Sequence, residues 1–280
     1  MPYTISGDYP IYFETFGREG DPPTIFIQAF AGQMIAWRKE LYEKLIQHGM
    51  QIILFDNRDV GLSGKTGGQN DYDAQYSPED MVDDAIRVLD TLGIASANVV
   101  GASMGGLIAQ LMAIKHTERV RSLSVIYAAP SMEYATEHVR NSLNPLELMK
   151  RTTREEAIEL IYAEAWNSRS THYAFDEEWH RALAERSYDR CYAPDGAARQ
   201  AAAMARAGNL VSELRKLSTP ASVIHGRADP MVKFEGGIEI ARALKNAELH
   251  LYFGMGHELP VPLFDEFVNI IARTVARGRR

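Results

Sequence analysis

One serine lies among small residues where a β-branched run changes into a helix-like pattern, in NVVGASMGGLIAQLMAIKH at residues 98–116. A serine hydroxyl is a poor nucleophile unless it is exposed, lies beside a base and is close to donors for an oxyanion. A sharp turn from strand to helix gives this exposure, and it requires small residues two positions before and after the serine. Gly101 and Gly105 satisfy that requirement, so we predict that Ser103 is a nucleophile held on such a turn.

The start of the predicted helix adds an anion-binding group. The backbone amide of Met104 lies at the helix N-terminus, where unpaired amides and the helix dipole favour negative charge, and we predict that it donates to the oxyanion. Two alternatives stay open. The glycines could serve a tight packing turn with an incidental serine. They could also form a nucleotide-binding loop, although Ser103 occupies the middle glycine of GxGxxG and no lysine is placed for a P-loop.

The rest of the chain supplies the elements that such a turn needs. Its 280 residues are 46% hydrophobic and 24% charged, which is typical of a globular protein with a large core. Apolar runs of strand length alternate with amphipathic segments, and this predicts an α/β fold with a mostly parallel sheet flanked by helices. The strand candidates are residues 24–30, 51–57, 97–103, 121–130, 221–226 and 248–253, preceded by an antiparallel hairpin of residues 2–6 and 10–16 around Gly7 and Asp8.

Two helices have readable patterns. In SPEDMVDDAIRVLDTLG, Ser77 is the predicted N-cap, Pro78 suits the first helical position and Asp80 can close a capping box. Gly93 ends the apolar periodicity of this segment. A C-terminal helix is predicted from the apolar spacing at residues 263–271.

The alternation of strands and helices stops between residues 131 and 210, where the chain is charged, alanine-rich and helical in pattern. We predict a helical cap inserted late in the sheet, over the carboxyl ends of the strands, where open α/β folds bind ligands. The predicted domains are a core of residues 1–130 and 211–280 and a cap of residues 131–210. In the alternative interpretation, these helices simply extend the body of the fold.

Charge and composition exclude several classes of partner. The formal net charge of −7 gives no general attraction to phosphate backbones or anionic membranes, so neither nucleic acid nor a membrane is an expected partner. The chain opens without a basic segment followed by an apolar run, so we expect a cytoplasmic protein. Cys191 is the single cysteine, which excludes an internal disulfide and a CxxC metal site. The sequence leaves a homo-oligomer open.

These motifs resemble the α/β-hydrolase superfamily over almost the whole chain. The resemblance implies a catalytic triad in the order serine, acid, histidine, with the acid after a late strand and the histidine after the last strand. Among the eight histidines, His257 in FGMGHELP lies just beyond the last strand candidate and is the implied base. Asp229 in VIHGRADPMV follows a buried strand and is the implied acid, with a cap or turn aspartate as the alternative. Asp56 and Asp59 are assigned to a structural turn.

The resemblance also implies a second oxyanion donor in the loop after residues 24–30. Many relatives have His-Gly before this donor, whereas the present chain has Gln28 and Ala29. The backbone amide of Phe30 then takes the donor position. Gln28 is either a residue of the substrate pocket or a packed strand end.

The stretches QAFAGQMIAW, FDNRDVGLS, DGAARQAAAMARAG, HGRADP and GMGHELP look like the serine esterase branch that includes aclacinomycin methylesterase-like proteins. This resemblance implies hydrolysis of a small-molecule carboxylic ester through an acyl-enzyme, with no metal ion and no organic cofactor. It points to a methyl ester of a bulky ring-containing acid. Three aromatic residues of the inserted segment are candidates for the substrate pocket, with packing inside the cap as the alternative: Trp166, Tyr173 and Trp179.

Other functions fit the same serine, acid and histidine. The resemblance extends to lactonases, cofactor-free haloperoxidases or perhydrolases and carbon–carbon bond hydrolases, which use this triad on the same scaffold. Ser103 argues against the branches that have an aspartate nucleophile. Outside catalysis, the alternatives are a binding protein that retains the pocket and a scaffold protein that uses the helical segment.

Overall fold

The computed structural model describes residues 2–4, 9–68, 70–144, 148 and 152–278, which form a seven-stranded sheet flanked by helices. The strands are β1 (Phe13–Phe16), β2 (Pro23–Ile27), β3 (Gln51–Phe55), β4 (Ala97–Ala102), β5 (Val120–Ile126), β6 (Ala221–Gly226) and β7 (Ala247–Tyr252). Their order in the sheet is β1-β3-β2-β4-β5-β6-β7. β1 pairs antiparallel with β3, and every other neighbouring pair is parallel. The predicted α/β fold with a mostly parallel sheet is confirmed.

The chain begins with a short antiparallel ladder. Tyr3 bridges Tyr12, and the Thr4 amide donates to the Ile11 carbonyl at 3.0 Å. The predicted turn at Gly7 and Asp8 lies outside the described residues. The ladder leads directly into β1 at the edge of the sheet.

Helices cover both faces of the sheet. One face packs against α2 (Pro78–Thr91), α3 (Met104–Lys115) and α9 (Glu235–Ala243), and the other against α1 (Lys39–Gln47) and α10 (Phe264–Arg277). α2 starts as predicted, because Ser77 and Asp80 form a capping box in which the Ser77 amide donates to the Asp80 carboxylate at 2.8 Å. Gly93 has φ +67° just past its end, a conformation that glycine adopts without steric cost.

Between β5 and β6 the described chain is mainly helical. This interval contains α4 (Glu137–Ser142), α5 (Arg154–Ser168), α6 (Glu177–Arg190), α7 (Pro194–Met204) and α8 (Val211–Leu214). α5 and α6 pack together, and Arg154 and Asp189 form an ion pair at 2.7 Å between them. α7 is buried against the core, where a Cβ on Gly196 would lie 2.0 Å from the carbonyl oxygen of Asp59. The division of the chain into a core and a separate cap of residues 131–210 stays a prediction.

No helix in the described ranges combines the length and the apolar composition that are needed to cross a bilayer.

Candidate active site

Ser103 lies on a sharp turn between β4 and α3. Its φ of +53° and ψ of −119° are unusual for a residue with a side chain, and such strain is found mainly at functional sites. A Cβ on Gly101 would lie 2.2 Å from the Gly105 carbonyl oxygen, and a Cβ on Gly105 would lie 2.0 Å from the Ile27 carbonyl oxygen. Both positions therefore need glycine, because strand and helix approach each other too closely for any side chain.

The structure brings Ser103, His257 and Asp229 together from the turns and loops that follow β4, β7 and β6. The Ser103 hydroxyl lies 2.9 Å from His257 Nε2, and His257 Nδ1 lies 2.8 Å from Asp229 Oδ2. The Asp229 side chain is fully buried and that of His257 is 10% exposed. This is the geometry in which an imidazole can take the serine proton while a carboxylate orients the ring.

The Asp229 carboxylate is held in its ionised form. Burial raises its pKa, but the attraction of His257 and the hydrogen bonds from the two nearby histidines outweigh burial and bring the pKa well below its usual value. Its other oxygen, Oδ1, accepts the backbone amides of Met231 and Val232 at 2.8 and 2.9 Å. Because the carboxylate accepts from His257 Nδ1, the opposite nitrogen Nε2 is left to accept from the Ser103 hydroxyl.

A second histidine, which the sequence analysis left without a role, contacts the same carboxylate. His225 is completely buried, and its Nε2 lies 3.1 Å from both Asp229 Oδ2 and the Val232 carbonyl oxygen. Both partners are acceptors, so Nε2 must carry the proton. Its position four residues before Asp229, at the end of a buried strand, is the sequence signal that could have identified it.

The loop that carries His257 is held by the last residue of α5 and the segment that follows this helix. The His257 amide donates to the Ser168 carbonyl at 2.8 Å, and the Gly256 amide donates to the Ser170 hydroxyl at 3.0 Å. On another side, the Tyr127 ring lies against the imidazole with 4.5 Å between ring centroids. The position of His257 therefore depends on residues far from it in the sequence, which the sequence analysis did not identify.

The two predicted oxyanion donors lie on neighbouring pieces of backbone. Met104 is the first residue of α3, and the loop after β2 passes directly against the start of this helix at Gly105. In that loop, the Ala29 carbonyl accepts the Gly32 amide at 3.1 Å. Because a trans peptide places its N–H opposite its carbonyl, the Phe30 amide points away from this bond, out of the turn.

Gln28, the other predicted residue of this loop, is almost fully buried. Its Oε1 accepts the Ala29 amide at 2.7 Å. This contact favours the interpretation of Gln28 as a packed strand end.

The three predicted pocket aromatics have packing partners of their own. Trp166 meets Phe175 edge-on at 5.5 Å and lines a shallow hollow of about 350 Å³. Trp179 carries the Arg38 guanidinium over its ring at 3.8 Å and lines a cleft of about 740 Å³. Tyr173 packs on the apolar cluster that contains Met255, close in sequence to His257. The contact of Trp166 with Phe175 favours packing within the inserted segment, whereas Trp179 packs against Arg38, just before α1.

Within the described ranges, no three His, Cys, Asp or Glu side chains are grouped so that they could hold a metal ion.

Comparisons with known proteins agree with this architecture. A family model for the alpha/beta hydrolase fold matches residues 22–261. A crystal structure of the enol-lactonase from Burkholderia xenovorans LB400 aligns with a TM-score of 0.79 at 20% identity, over 98% of this chain and 100% of that chain. At this identity the likeness shows a shared fold.

Proteins of similar sequence include hydrolases of several kinds. The chain is 33% identical over 126 residues to a putative carbamate hydrolase of Azorhizobium caulinodans, covering 45% of this chain and 44% of that protein. It is 30% identical over 219 residues to a 2-hydroxymuconate semialdehyde hydrolase of Pseudomonas putida, covering 74% and 72%. It is 32% identical over 119 residues to a rhodomycin D methylesterase of Streptomyces sp. (strain C5), covering 41% and 38%. The first and third matches thus span less than half of those relatives' own length.

Proposed function

We propose that this chain, which belongs to the α/β-hydrolase family, cleaves a small-molecule carboxylic ester through an acyl-enzyme formed on Ser103. The observation that carries the proposal is the pair of hydrogen bonds that links Ser103 to His257 at 2.9 Å and His257 to Asp229 at 2.8 Å. The strained backbone of the serine supports it further, because such strain persists only where the surrounding structure maintains it.

The proposed reaction has two stages. His257 Nε2 takes the proton of the Ser103 hydroxyl as Oγ attacks the ester carbonyl carbon, and the backbone amides of Met104 and Phe30 stabilise the oxyanion. Collapse of this intermediate breaks the carbon–oxygen bond of the ester, and His257 gives its proton to the departing alcohol. A water molecule then repeats the attack on the acyl-enzyme and releases the acid. Throughout, Asp229 stays ionised and stabilises the imidazolium.

The proposed substrate is a methyl ester of a bulky ring-containing acid. Similarity to the rhodomycin D methylesterase supports this choice. Apolar side chains that could line an acyl pocket are present as well, since Met204 belongs to the same apolar cluster as Met104, and Phe30 and Met132 pack against that cluster. Methionine and aromatic side chains suit a large, adaptable apolar ligand.

The cytoplasmic location stays a prediction.

A second candidate follows from the longest of the three sequence matches. Similarity to the 2-hydroxymuconate semialdehyde hydrolase extends over 74% of the chain, so hydrolysis of that compound is the alternative activity. Both activities would use the same serine, and the difference would lie in the acyl pocket.

The test combines labelling with a substrate panel. Wild type, Ser103→Ala and a control, Ser142→Ala, are treated with a fluorophosphonate probe and assayed on nitrophenyl esters of increasing acyl length, a polycyclic methyl ester, a lactone and 2-hydroxymuconate semialdehyde. Ser142 lies on α4, where its hydroxyl donates to the His138 carbonyl, away from the triad. We expect labelling of wild type and the control, and a loss of about 10⁶-fold in kcat for Ser103→Ala. Near-normal activity of Ser103→Ala would overturn the proposal. A preference for the semialdehyde over every ester would select the second candidate.

A further inference from the structure

Gln200 joins the inserted segment to the loop that carries the second proposed oxyanion donor. It lies on α7 and is completely buried. Its side-chain oxygen accepts the Ala31 backbone amide at 2.9 Å, and its side-chain nitrogen donates to the Arg58 carbonyl at 2.8 Å. Both ends of this amide are therefore used, which fixes its orientation.

The loop that Gln200 contacts has a conformation that needs support. Ala31 has φ +54°, in the left-handed region that residues with a Cβ rarely adopt. Its amide belongs to the peptide group that directly follows Phe30. The amide of Ala29, on the other side of Phe30, is bonded to Gln28 Oε1. The peptide group that carries the Phe30 amide therefore lies between two others. The amides of those two groups donate to the side chains of Gln28 and Gln200.

The helix that carries Gln200 is itself firmly attached. Next to it, Arg199 makes two hydrogen bonds with the buried carboxylate of Asp59, at 3.0 and 2.8 Å. Arg58, whose carbonyl accepts from Gln200, makes two side-chain hydrogen bonds with Asp84 at 2.5 and 2.9 Å. Buried charge pairs therefore lie on both sides of Gln200, and they limit how far its side-chain oxygen can move.

We propose that Gln200 is a positioning residue through which the inserted segment fixes the Ala31 amide and thereby aims the Phe30 amide at the oxyanion. The inference rests on the proposed function, because it assumes attack by Ser103 on a carbonyl carbon. Gln200 touches neither substrate nor reacting atoms. Its removal should weaken binding of the tetrahedral intermediate more than binding of the substrate, because only the intermediate carries the full negative charge.

The test uses three substitutions and a transition-state analogue. Gln200→Leu removes both hydrogen bonds at similar volume, whereas Gln200→Glu keeps an acceptor for the Ala31 amide and loses the donor to Arg58. The control is Gln33→Leu, since Gln33 is also buried and also bonds the inserted segment, at the Ser187 and Cys191 carbonyls. For each variant, kcat and KM on a nitrophenyl ester, the Ki of a trifluoromethyl ketone and the urea midpoint are measured.

We expect Gln200→Leu to lower kcat by about 10- to 100-fold, less than the ~10²–10³-fold cost of deleting an oxyanion donor. Its KM should change less than about threefold, and the Ki of the ketone should rise by the same factor as kcat/KM falls. Gln200→Glu should recover most of the ketone affinity even if its urea midpoint is low. Gln33→Leu should lower the urea midpoint without a matching rise in Ki.

Three outcomes would overturn the inference. They are an unchanged Ki for a folded Gln200→Leu variant, equal rises in Ki for Gln200→Leu and Gln33→Leu, and no recovery of ketone affinity by Gln200→Glu. If the leucine variant does not fold, Gln200→Met takes its place with the same expected values. Failure of the proposed function would be distinct, because Ser103→Ala would then keep its activity, whereas failure of this inference alone leaves Ser103 essential.

Discussion

Substitution of Arg199 by methionine tests how α7 is held to the core. Arg199 is 2% exposed and donates from Nε and Nη2 to the two carboxylate oxygens of Asp59 at 3.0 and 2.8 Å. Asp59 is fully buried as well. Methionine has a side chain of comparable length but no charge. It would leave the carboxylate in the protein interior with the Thr66 amide and hydroxyl as donors.

The expected loss is large because one charge would remain buried without its partner. Breaking a buried ion pair in this way costs about 3–5 kcal/mol, so we expect Arg199→Met to lower the free energy of unfolding by that amount. At roughly 2 °C per kcal/mol for a chain of this size, Tm should fall by about 6–10 °C. The matched control is Arg154→Met. Its pair with Asp189 has similar hydrogen bonds, at 2.8 and 2.7 Å, but the side chains are 42% and 56% exposed. Exposed pairs contribute about 0–1 kcal/mol.

Urea unfolding followed by circular dichroism gives the free energies, and a double variant gives the coupling. Asp59→Asn combined with Arg199→Met should lose less than Arg199→Met alone, because no unpaired charge then remains in the interior. The reasoning would be refuted if Arg199→Met lost no more than Arg154→Met, or if the double variant lost the sum of its two single losses.

Four further predictions concern the triad, the turn and the inserted segment. Asp229→Asn should lower kcat by up to about 10⁴-fold in steady-state assays. Because the folded-state pKa of Asp229 is below its unfolded value of about 3.9, its contribution to stability is present above that pH and lost as the pH falls below it. The asparagine variant should therefore lose less unfolding free energy than wild type between about pH 5 and pH 3; an equal loss would contradict this. Gly105→Ala should give little folded protein in expression trials, since its Cβ would lie 2.0 Å from the Ile27 carbonyl oxygen, whereas Gly208→Ala, with open space around it, should be tolerated. Among the aromatics, Tyr173→Ala should change the kcat/KM ratio of bulky to short esters, whereas Trp166→Ala and Trp179→Ala should lower only Tm. The reverse result would indicate that the two tryptophans line the substrate pocket.

Local features of this molecule could be read from the sequence, because their causes lie within a few residues. The capping box of Ser77 and Asp80 and the end of α2 near Gly93 are of this kind. The same holds for the alternation of strands and helices, which gave the α/β fold. The observed strands stop short of several predicted ends, for example at Ile27 and Phe55, because the chain leaves the ladder there for loops whose backbone amides donate to the side chains of Gln28 and Asp56.

The family relationship could also be predicted from the sequence. The resemblance to α/β hydrolases with an esterase relationship is confirmed by the family model and by the similarity to a rhodomycin D methylesterase. Through that resemblance, chain order placed Ser103, Asp229 and His257 in their roles. Those catalytic roles stay predictions until the variants are assayed.

Only the tertiary structure decided how these residues are held. Gln200 meets the Ala31 amide across 169 positions of sequence, and the Ser170 hydroxyl meets the Gly256 amide across 86. The sequence analysis gave His225 no role, yet its ring lies 3.1 Å from the carboxylate oxygen that also contacts His257. Hydrophobic periodicity reports which face of an element is buried, but it carries no information about which distant atom will lie opposite. That partner is determined when the whole core packs, because each buried donor and acceptor must form a hydrogen bond with one of the groups that packing brings within reach.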